Sequence, residues 1–194
     1  MNNIEIYDAL SSKGVTYLYH ANTVITSNTY LEEGYLLSRQ YVENNRLNQT
    51  PQKSDKIDKK YDIWNDIFFD SIDIHQRING DNKYGSVLFV FQLEILRDID
   101  SEIKIIKKNP TKWTDLDTEE VRYFTSIDDI VGKFDKTVFD HMITLHDCGK
   151  ISLKNYLKKI IVDKSVRDSG YLDAIRNKCE TAIGNTDIIE LRKD

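Results

Sequence analysis

Leu18-Tyr19-His20-Ala21-Asn22-Thr23 is the stretch of this chain whose residue types and order best fit chemistry. It reads as a buried strand that delivers one histidine to a cleft. A neutral imidazole there can hydrogen-bond a ligand hydroxyl, and the main chain beside it offers further donors and acceptors. The alternative is a histidine satisfied within an apolar core. Other sets compete. Glu102-Ile103-Lys104, with Asp81 upstream, offers two carboxylates and a lysine that can hold Mg²⁺ and orient a water. Acid-x-Lys triplets begin at Asp58, Asp81 and Glu102, however, and composition alone accounts for that number. Asp62, Asp66, Asp70 and Asp73 form an acidic stripe that lacks the glycine turn and ligand order of a calcium loop, so it reads as a solvated helix face. His146-Asp147-Cys148 sets a thiol beside an imidazole, but adjacent side chains on an extended segment point apart.

The elements that must position these residues are marked by pattern. Val15 to His20 is rich in β-branched and aromatic residues, which predicts a strand with Thr16, Leu18 and His20 on one face. Ile25 to Glu33 is helix-compatible, with Thr23 or Ser27 as N-cap and Gly34 as the left-handed stop. Tyr35-Leu36-Leu37-Ser38 then leads to Arg39 as a second extended segment. From Glu43 to Lys60 apolar residues almost vanish, which predicts a long surface loop able to act as a lid. Tyr61, Trp64, Phe68, Ile72 and His75 recur at helical spacing, with Arg77 one turn beyond Asp73. Val87 to Phe91 is apolar on both faces and predicts a mid-sheet strand. Strands are also expected at Ile103–Ile106, Val121–Thr125 and His141–Leu145. A short helix from Ser126 and a final helix through Leu172, Ile175 and Cys179 to Gly184 complete the order.

Length and composition set bounds. The 194 residues fit one domain, with 40% hydrophobic and 30% charged residues, adequate for a core without disulfide or metal support. The two cysteines, Cys148 and Cys179, lie far apart with no CxxC, which fits a reducing compartment. No apolar run approaches a membrane span and the first residues lack a signal-peptide pattern, so a cytoplasmic protein with no membrane partner is expected. A net charge of -5 gives no global attraction to nucleic acid.

Leu18-Tyr19-His20-Ala21-Asn22, together with Tyr30-Leu31-Glu32-Glu33-Gly34-Tyr35-Leu36-Leu37-Ser38, resembles the entry into the ADP-ribosyltransferase superfamily of the His-Tyr-Glu type. In that family a strand ending in histidine precedes a short helix with a Leu-x-x-Gly-x-Leu exit. The order of later elements looks closest to the nucleic-acid-modifying toxins of the DarT kind. The resemblance is specific over the first third of the chain and extends to the rest as an order of elements. It implies an α+β fold with a split, mostly antiparallel sheet and peripheral helices.

It further implies an NAD-dependent transferase of toxin or phage-defence type, with NAD as substrate. The acceptor would be a macromolecule, nucleic acid (DNA or RNA) ahead of protein, and an antitoxin or other regulatory protein would be a partner. His20 would anchor the nicotinamide-side ribose beside Asn22, Tyr84 would stack on nicotinamide, and Arg39 or Arg77 would meet the phosphates or the target. Where the family carries a catalytic Glu at the start of a late strand, this chain has Phe139-Asp140-His141-Met142-Ile143. Asp140, with His141 beside it, is therefore the carboxylate expected near the ribose 2′-hydroxyl. A Mg²⁺-dependent nuclease built on Asp81, Glu102 and Lys104, and a non-catalytic NAD-binding or interaction module exposing Tyr35 and Tyr41, stay open as alternatives.

Overall fold

Val87 to Phe91 carries no polar side chain, and all five residues are buried. That is possible only for a strand paired on both edges and covered on both faces. In a computed structural model, which describes residues 1–74, 85–168 and 170–192, this strand lies inside one of two four-stranded sheets.

In chain order the first elements are α1 (Asn3–Ser12), β1 (Tyr17–Asn22), α2 (Val24–Glu33), β2 (Tyr35–Leu37), α3 (Arg39–Asn44), α4 (Asp55–Lys60) and β3 (Ile67–Phe69). There follow β4 (Val87–Gln92), α5 (Ile95–Asp98), β5 (Ile103–Ile106), a 3₁₀ turn (Pro110–Lys112), α6 (Glu119–Arg122), β6 (Tyr123–Phe124) and α7 (Ile127–Lys133). The last are β7 (Ile143–Leu145), β8 (Lys150–Ser152), α8 (Leu153–Tyr156), β9 (Leu157–Val162), α9 (Lys164–Asp168), α10 (Tyr171–Ile183) and β10 (Ile189–Leu191).

Among the described residues the strands make three sheets, in the orders β1-β4-β9-β10, β2-β8 and β3-β7-β5-β6. Every pairing is antiparallel except β9 with β10. The chain is thus an α+β protein with a split, mostly antiparallel sheet and helices at its periphery. One bridge, between Tyr19 and Asp70, ties the first sheet to the third. That bridge brings β1 alongside the segment after β3, and the cleft opens where the two diverge.

Local chemistry explains the elements around the cleft. Thr23 caps α2 by accepting from the Thr26 N–H, and Gly34 ends it at φ 74°, a conformation that only glycine adopts without strain. Tyr30 and Leu31 are buried, and the helix packs against α10. Leu36 and Leu37 of β2 are buried too, so α3 starts from a fixed strand end. Ser38 caps that helix by accepting from the Tyr41 N–H, which places Arg39 at its first turn.

Two sequence expectations need correction. The spacing of Tyr61, Trp64, Phe68 and Ile72 predicts a helix, but the chain runs through turns into β3. Ile67-Phe68-Phe69 is a β-branched and aromatic run that pairs with β7, and sheet pairing overrides the helical period. The acidic stripe is therefore not one helix face. The segment 43–60 is not all loop: α3 extends to Asn44 and α4 begins at Asp55. His75, Arg77, Asp81 and Tyr84 lie outside the described residues.

Candidate functional site

The cleft has a volume of about 270 Å³. Its walls are the end of β1, the start of α3, α4, the segment from Ile63 to Asp70, the Asn109–Thr111 turn, and Phe139 with Met142.

His20 sits on the β1 wall, opposite Phe89 in the sheet register, with the Tyr30 and Phe69 rings 5.9 and 6.2 Å away. Its Nδ1 lies 2.9 Å from the Phe68 carbonyl oxygen. A carbonyl can only accept, so Nδ1 carries the proton and the Nε2 lone pair accepts only a long bond from Asn22 Nδ2, at 3.5 Å, which a ligand hydroxyl can replace. Burial lowers the ring's pKa, and the Arg39 charge pushes it the same way; the imidazole is neutral at pH 7. Asn22 is 2% exposed. Its Oδ1 accepts from the Thr23 N–H at 2.9 Å, and its Nδ2 donates to the Tyr30 hydroxyl at 3.1 Å and lies 3.5 Å from His20 Nε2. Asn22 thus stiffens the wall more than it faces the cleft.

The main chain of this wall has a free edge. Tyr19 exchanges both its N–H and its C=O with Asp70, at 2.9 Å each. The alternation of an antiparallel ladder then directs the Ala21 N–H and C=O to the same side, away from β4. The partner strand does not continue the ladder there, because the Phe68 carbonyl receives the His20 ring instead. Ala21 lines the cleft and offers it one donor beside one acceptor.

Gly85 supports the same wall from behind. At φ +133° it approaches the Asn22–Thr23 peptide so closely that a Cβ would lie 1.9 Å from the Asn22 carbonyl carbon. No side chain fits there.

Arg39 faces this wall from α3. Its Nη2 donates to Asp55 Oδ2 at 2.8 Å and to the Thr50 carbonyl at 3.1 Å, and its guanidinium stands 5.2 Å from the Trp64 ring centre. Its Nε and Nη1 are buried without a partner. Charged donors are rarely left so, and two open N–H directions suit the oxygens of a bound anion. The segment 43–60 that supplies Thr50 and Asp55 is fastened to α2: the Thr50 N–H donates to Thr26 Oγ1 at 3.0 Å, and Thr29 Oγ1 to the Asn48 carbonyl at 2.7 Å.

Two buried carboxylates complete the lining. Asp66 Oδ1 accepts from His146 Nδ1 at 2.9 Å and from the Asp147 N–H at 3.0 Å, while Oδ2 accepts from the Thr144 hydroxyl at 3.3 Å. Burial raises its pKa, against the pull of those donors. Burial, with Asp55 and Asp66 adding repulsion, pushes the carboxyl of Asp58 on α4 up to about 6, against the nearby Ser54 hydroxyl and the Arg39 charge.

No protein-family model and no curated protein matches the chain. Two of the solved structures that it resembles in shape are of one protein. Thermus sp. 2.9 DarT in complex with ADP-ribosylated single-stranded DNA superposes with a TM-score of 0.63 at 11% identity, over 93% of this chain and 96% of that one. The same protein in complex with NAD⁺ gives a TM-score of 0.50 at 10% identity over the same shares. The chain has a DarT-like ADP-ribosyltransferase fold.

Within that fold the residues singled out from sequence are not all neighbours. His20, Asn22 and Arg39 line one cleft. Asp140 does not line it: its carboxylate is paired with Lys112 Nζ at 2.7 and 2.8 Å. His141 stacks on Phe134 at 5.6 Å, meets the edge of Phe124 at 5.0 Å and bonds the Asp135 main chain through Nδ1. Their neighbours Phe139 and Met142 reach the cleft instead. Glu102 and Lys104, 3.7 Å apart, line a separate shallow pocket with Glu119 and Tyr123. Among the described residues no three His, Cys, Asp or Glu side chains are grouped to hold a metal ion, and no helix is long and apolar enough to cross a membrane. Tyr35 is exposed on β2, with the Lys150 amino group 4.8 Å above its ring and 5.6 Å above that of Tyr41.

Asp58 and Asp66 escaped the sequence reading. One belongs to a triplet that composition explains, the other to a stripe that looks like a solvated face. Only the tertiary fold removes both from water.

Proposed function

We propose that the cleft binds NAD and that the protein transfers ADP-ribose from it to a nucleic acid, single-stranded DNA ahead of RNA. One arrangement carries the reading. In a DarT-like fold, a single cleft holds the His20 Nε2 lone pair, the free Ala21 peptide edge and two unpartnered Arg39 N–H groups. Each suits one part of NAD. The Ala21 N–H and C=O match a primary carboxamide, which has one acceptor and a donor pair. His20 Nε2 accepts from a ribose hydroxyl, and Arg39 Nε and Nη1 donate to the diphosphate. Tyr84 is the proposed stacking partner of the nicotinamide ring, and Arg77 a second contact to phosphate or target.

Cleavage of the C1′–nicotinamide bond builds positive charge on the ribose, so a neutral His20 avoids the repulsion a charged one would add. Asp140 with His141, which the sequence places near the 2′-hydroxyl, would reach the ribose only if the ion pair of Asp140 with Lys112 opened. A toxin role, a cytoplasmic setting and an antitoxin partner belong to the same reading.

A thermal-shift series with NAD, nicotinamide and Mg²⁺ tests it. NAD at 100 times its dissociation constant should add about 2.7 kcal/mol of stability. His20→Ala and Arg39→Ala should each remove most of that gain, and nicotinamide should be released when NAD meets a single-stranded oligonucleotide. Stabilisation by Mg²⁺ and none by NAD would sink the proposal in favour of the nuclease built on Glu102 and Lys104.

A further inference from the structure

Asp58 is a carboxylate with no task in NAD binding, yet the fold spends a buried position on it. It is 8% exposed and lines the same cleft as His20 and Arg39. The other carboxylates near it are committed. Asp55 gives Oδ2 to Arg39 and to the Gln52 N–H while its Oδ1 is turned into protein, buried without a partner, and Asp66 is fixed by donors from His146, Asp147 and Thr144. Among the described residues Asp58 has no ion-pair partner, and the nearby Ser54 hydroxyl only moderates its raised pKa, so lone pairs on its oxygens remain for a ligand.

The groups that face it can be named from each neighbouring element. Ser54 and Asp55 come from its own helix and that helix's start, Arg39 from α3, and Asp66 from the segment leading into β3. The Pro110–Lys112 turn also packs against α4, but its Lys112 ammonium is paired with Asp140. Asp58 therefore has like charge on two sides and one shared cation.

Resting on the NAD reading above, we propose that Asp58 is the general base of the transfer step. An acceptor N–H or O–H approaches ribose C1′. The acceptor lone pair forms the new bond to C1′ while the C1′–nicotinamide bonding pair leaves with nicotinamide and neutralises its ring. The acceptor proton passes to an Asp58 carboxylate oxygen and later to water. No oxidant or metal enters the balance. A carboxyl held near 6 is ionised at neutral pH yet basic enough to accept the proton in the transition state.

The test follows nicotinamide release from NAD and transfer to a mixed-sequence single-stranded DNA oligonucleotide, with the thermal shift by NAD measured in parallel. Asp58→Asn should lower kcat by about 10²-fold or more while keeping the NAD shift, and Asp58→Glu should recover part of the rate. Wild-type kcat should fall about tenfold per pH unit below about pH 6, and Asp58→Asn should lose that dependence. An Asp58→Asn protein within threefold of wild type, its acid limb intact, overturns the assignment and leaves the NAD reading standing. A wild type that neither binds nor cleaves NAD overturns both. Should Asp58→Asn fail to fold, the wild-type profile decides: a kcat flat down to pH 5 overturns the assignment.

Discussion

The two sides of the cleft are made of opposite material. The His20 side is the end strand of the first sheet, whose neighbours Leu18, Phe89 and Phe91 are wholly buried. The Asp58 side is a six-residue helix, Asp-Lys-Ile-Asp-Lys-Lys, of which only Asp58 is buried. A strand locked in a sheet holds a side chain to a tight tolerance, which suits recognition of a fixed sugar and amide. A short helix in a polar segment is cheaper to displace and brings charge with it, which suits a group that must change protonation. Holding and proton transfer are thereby assigned to regions of different stiffness.

The rigid side should break first and hardest. Gly85→Ala puts a Cβ 1.9 Å from the Asn22 carbonyl carbon, at a φ of +133° that disfavours any side chain. Because the contact is backbone against backbone, no rotamer relieves it. The expected loss is about 3 kcal/mol or more, among the larger single-residue effects. Denaturant melts of soluble material would read it, and unchanged stability would show that β1 and the entry to β4 are not pressed together. The same displacement should carry His20 and Ala21 away from their positions, so NAD should no longer protect whatever folded protein remains.

The polar side should respond with the opposite sign. The Asp58 carboxyl moves from 3.8 to about 6 on folding. Between those values the folded chain binds more protons than the unfolded one, so stability falls as pH rises through the window. Below about pH 4 the cost is absent, and above about pH 6 it is complete, with a ceiling of about 3 kcal/mol. Asp58→Asn mimics the protonated form. It should therefore stabilise the protein at pH 7, by about 2 kcal/mol once local relaxation is allowed for, and the gain should vanish near pH 4. His20 works the other way. Its lowered pKa means the unfolded chain binds more protons below 6.5, so its contribution is full above that pH and drains away as the medium is acidified. Urea midpoints of wild type and variant across pH 4 to 8 separate the two. A variant less stable than wild type at pH 7 would mean that Asp58 stabilises the fold.

The same contrast governs what the sequence made legible. β1, α2 with its Gly34 stop, β4 and α10 were read correctly in kind, because each has a strong period or a capping residue and lies where the core enforces it. The histidine on an apolar strand was visible for that reason. The polar side resisted. Nothing in Asp55-Lys56-Ile57-Asp58-Lys59-Lys60 distinguishes the one acid that folding buries from the one that pairs with Arg39. Tyr61 to Ile72 misled because residues spaced three and four apart also fit a turn followed by a short strand, and long-range pairing with β7 decided the matter. The remaining strands, β8 to β10, lack an alternating pattern strong enough to mark them against the charged residues around them.

The smallest effect is expected at Asp140, the carboxylate that the sequence points to near the 2′-hydroxyl. Asp140 is bound by Lys112 on the rim, with side chains 22% and 57% exposed respectively. Partly exposed pairs of this kind contribute between nothing and about 1 kcal/mol. Asp140→Asn should therefore lower stability by no more than about 0.5 kcal/mol, and it should leave nicotinamide release within about threefold of wild type. Lys112 would be freed beside the Asn109–Thr111 wall, so a modest change in KM with kcat unaltered is the expected signature. Side-by-side kinetics of Asp140→Asn and Asp58→Asn make the comparison decisive. If Asp140→Asn loses activity by 10²-fold and Asp58→Asn does not, the catalytic carboxylate lies on the rim, the one that the sequence points to near the 2′-hydroxyl. The ion pair with Lys112 would then have to open when NAD arrives. If the losses fall the other way, the carboxylate has moved from the late strand to the polar segment, and the rim acid does no more than hold two wall segments together.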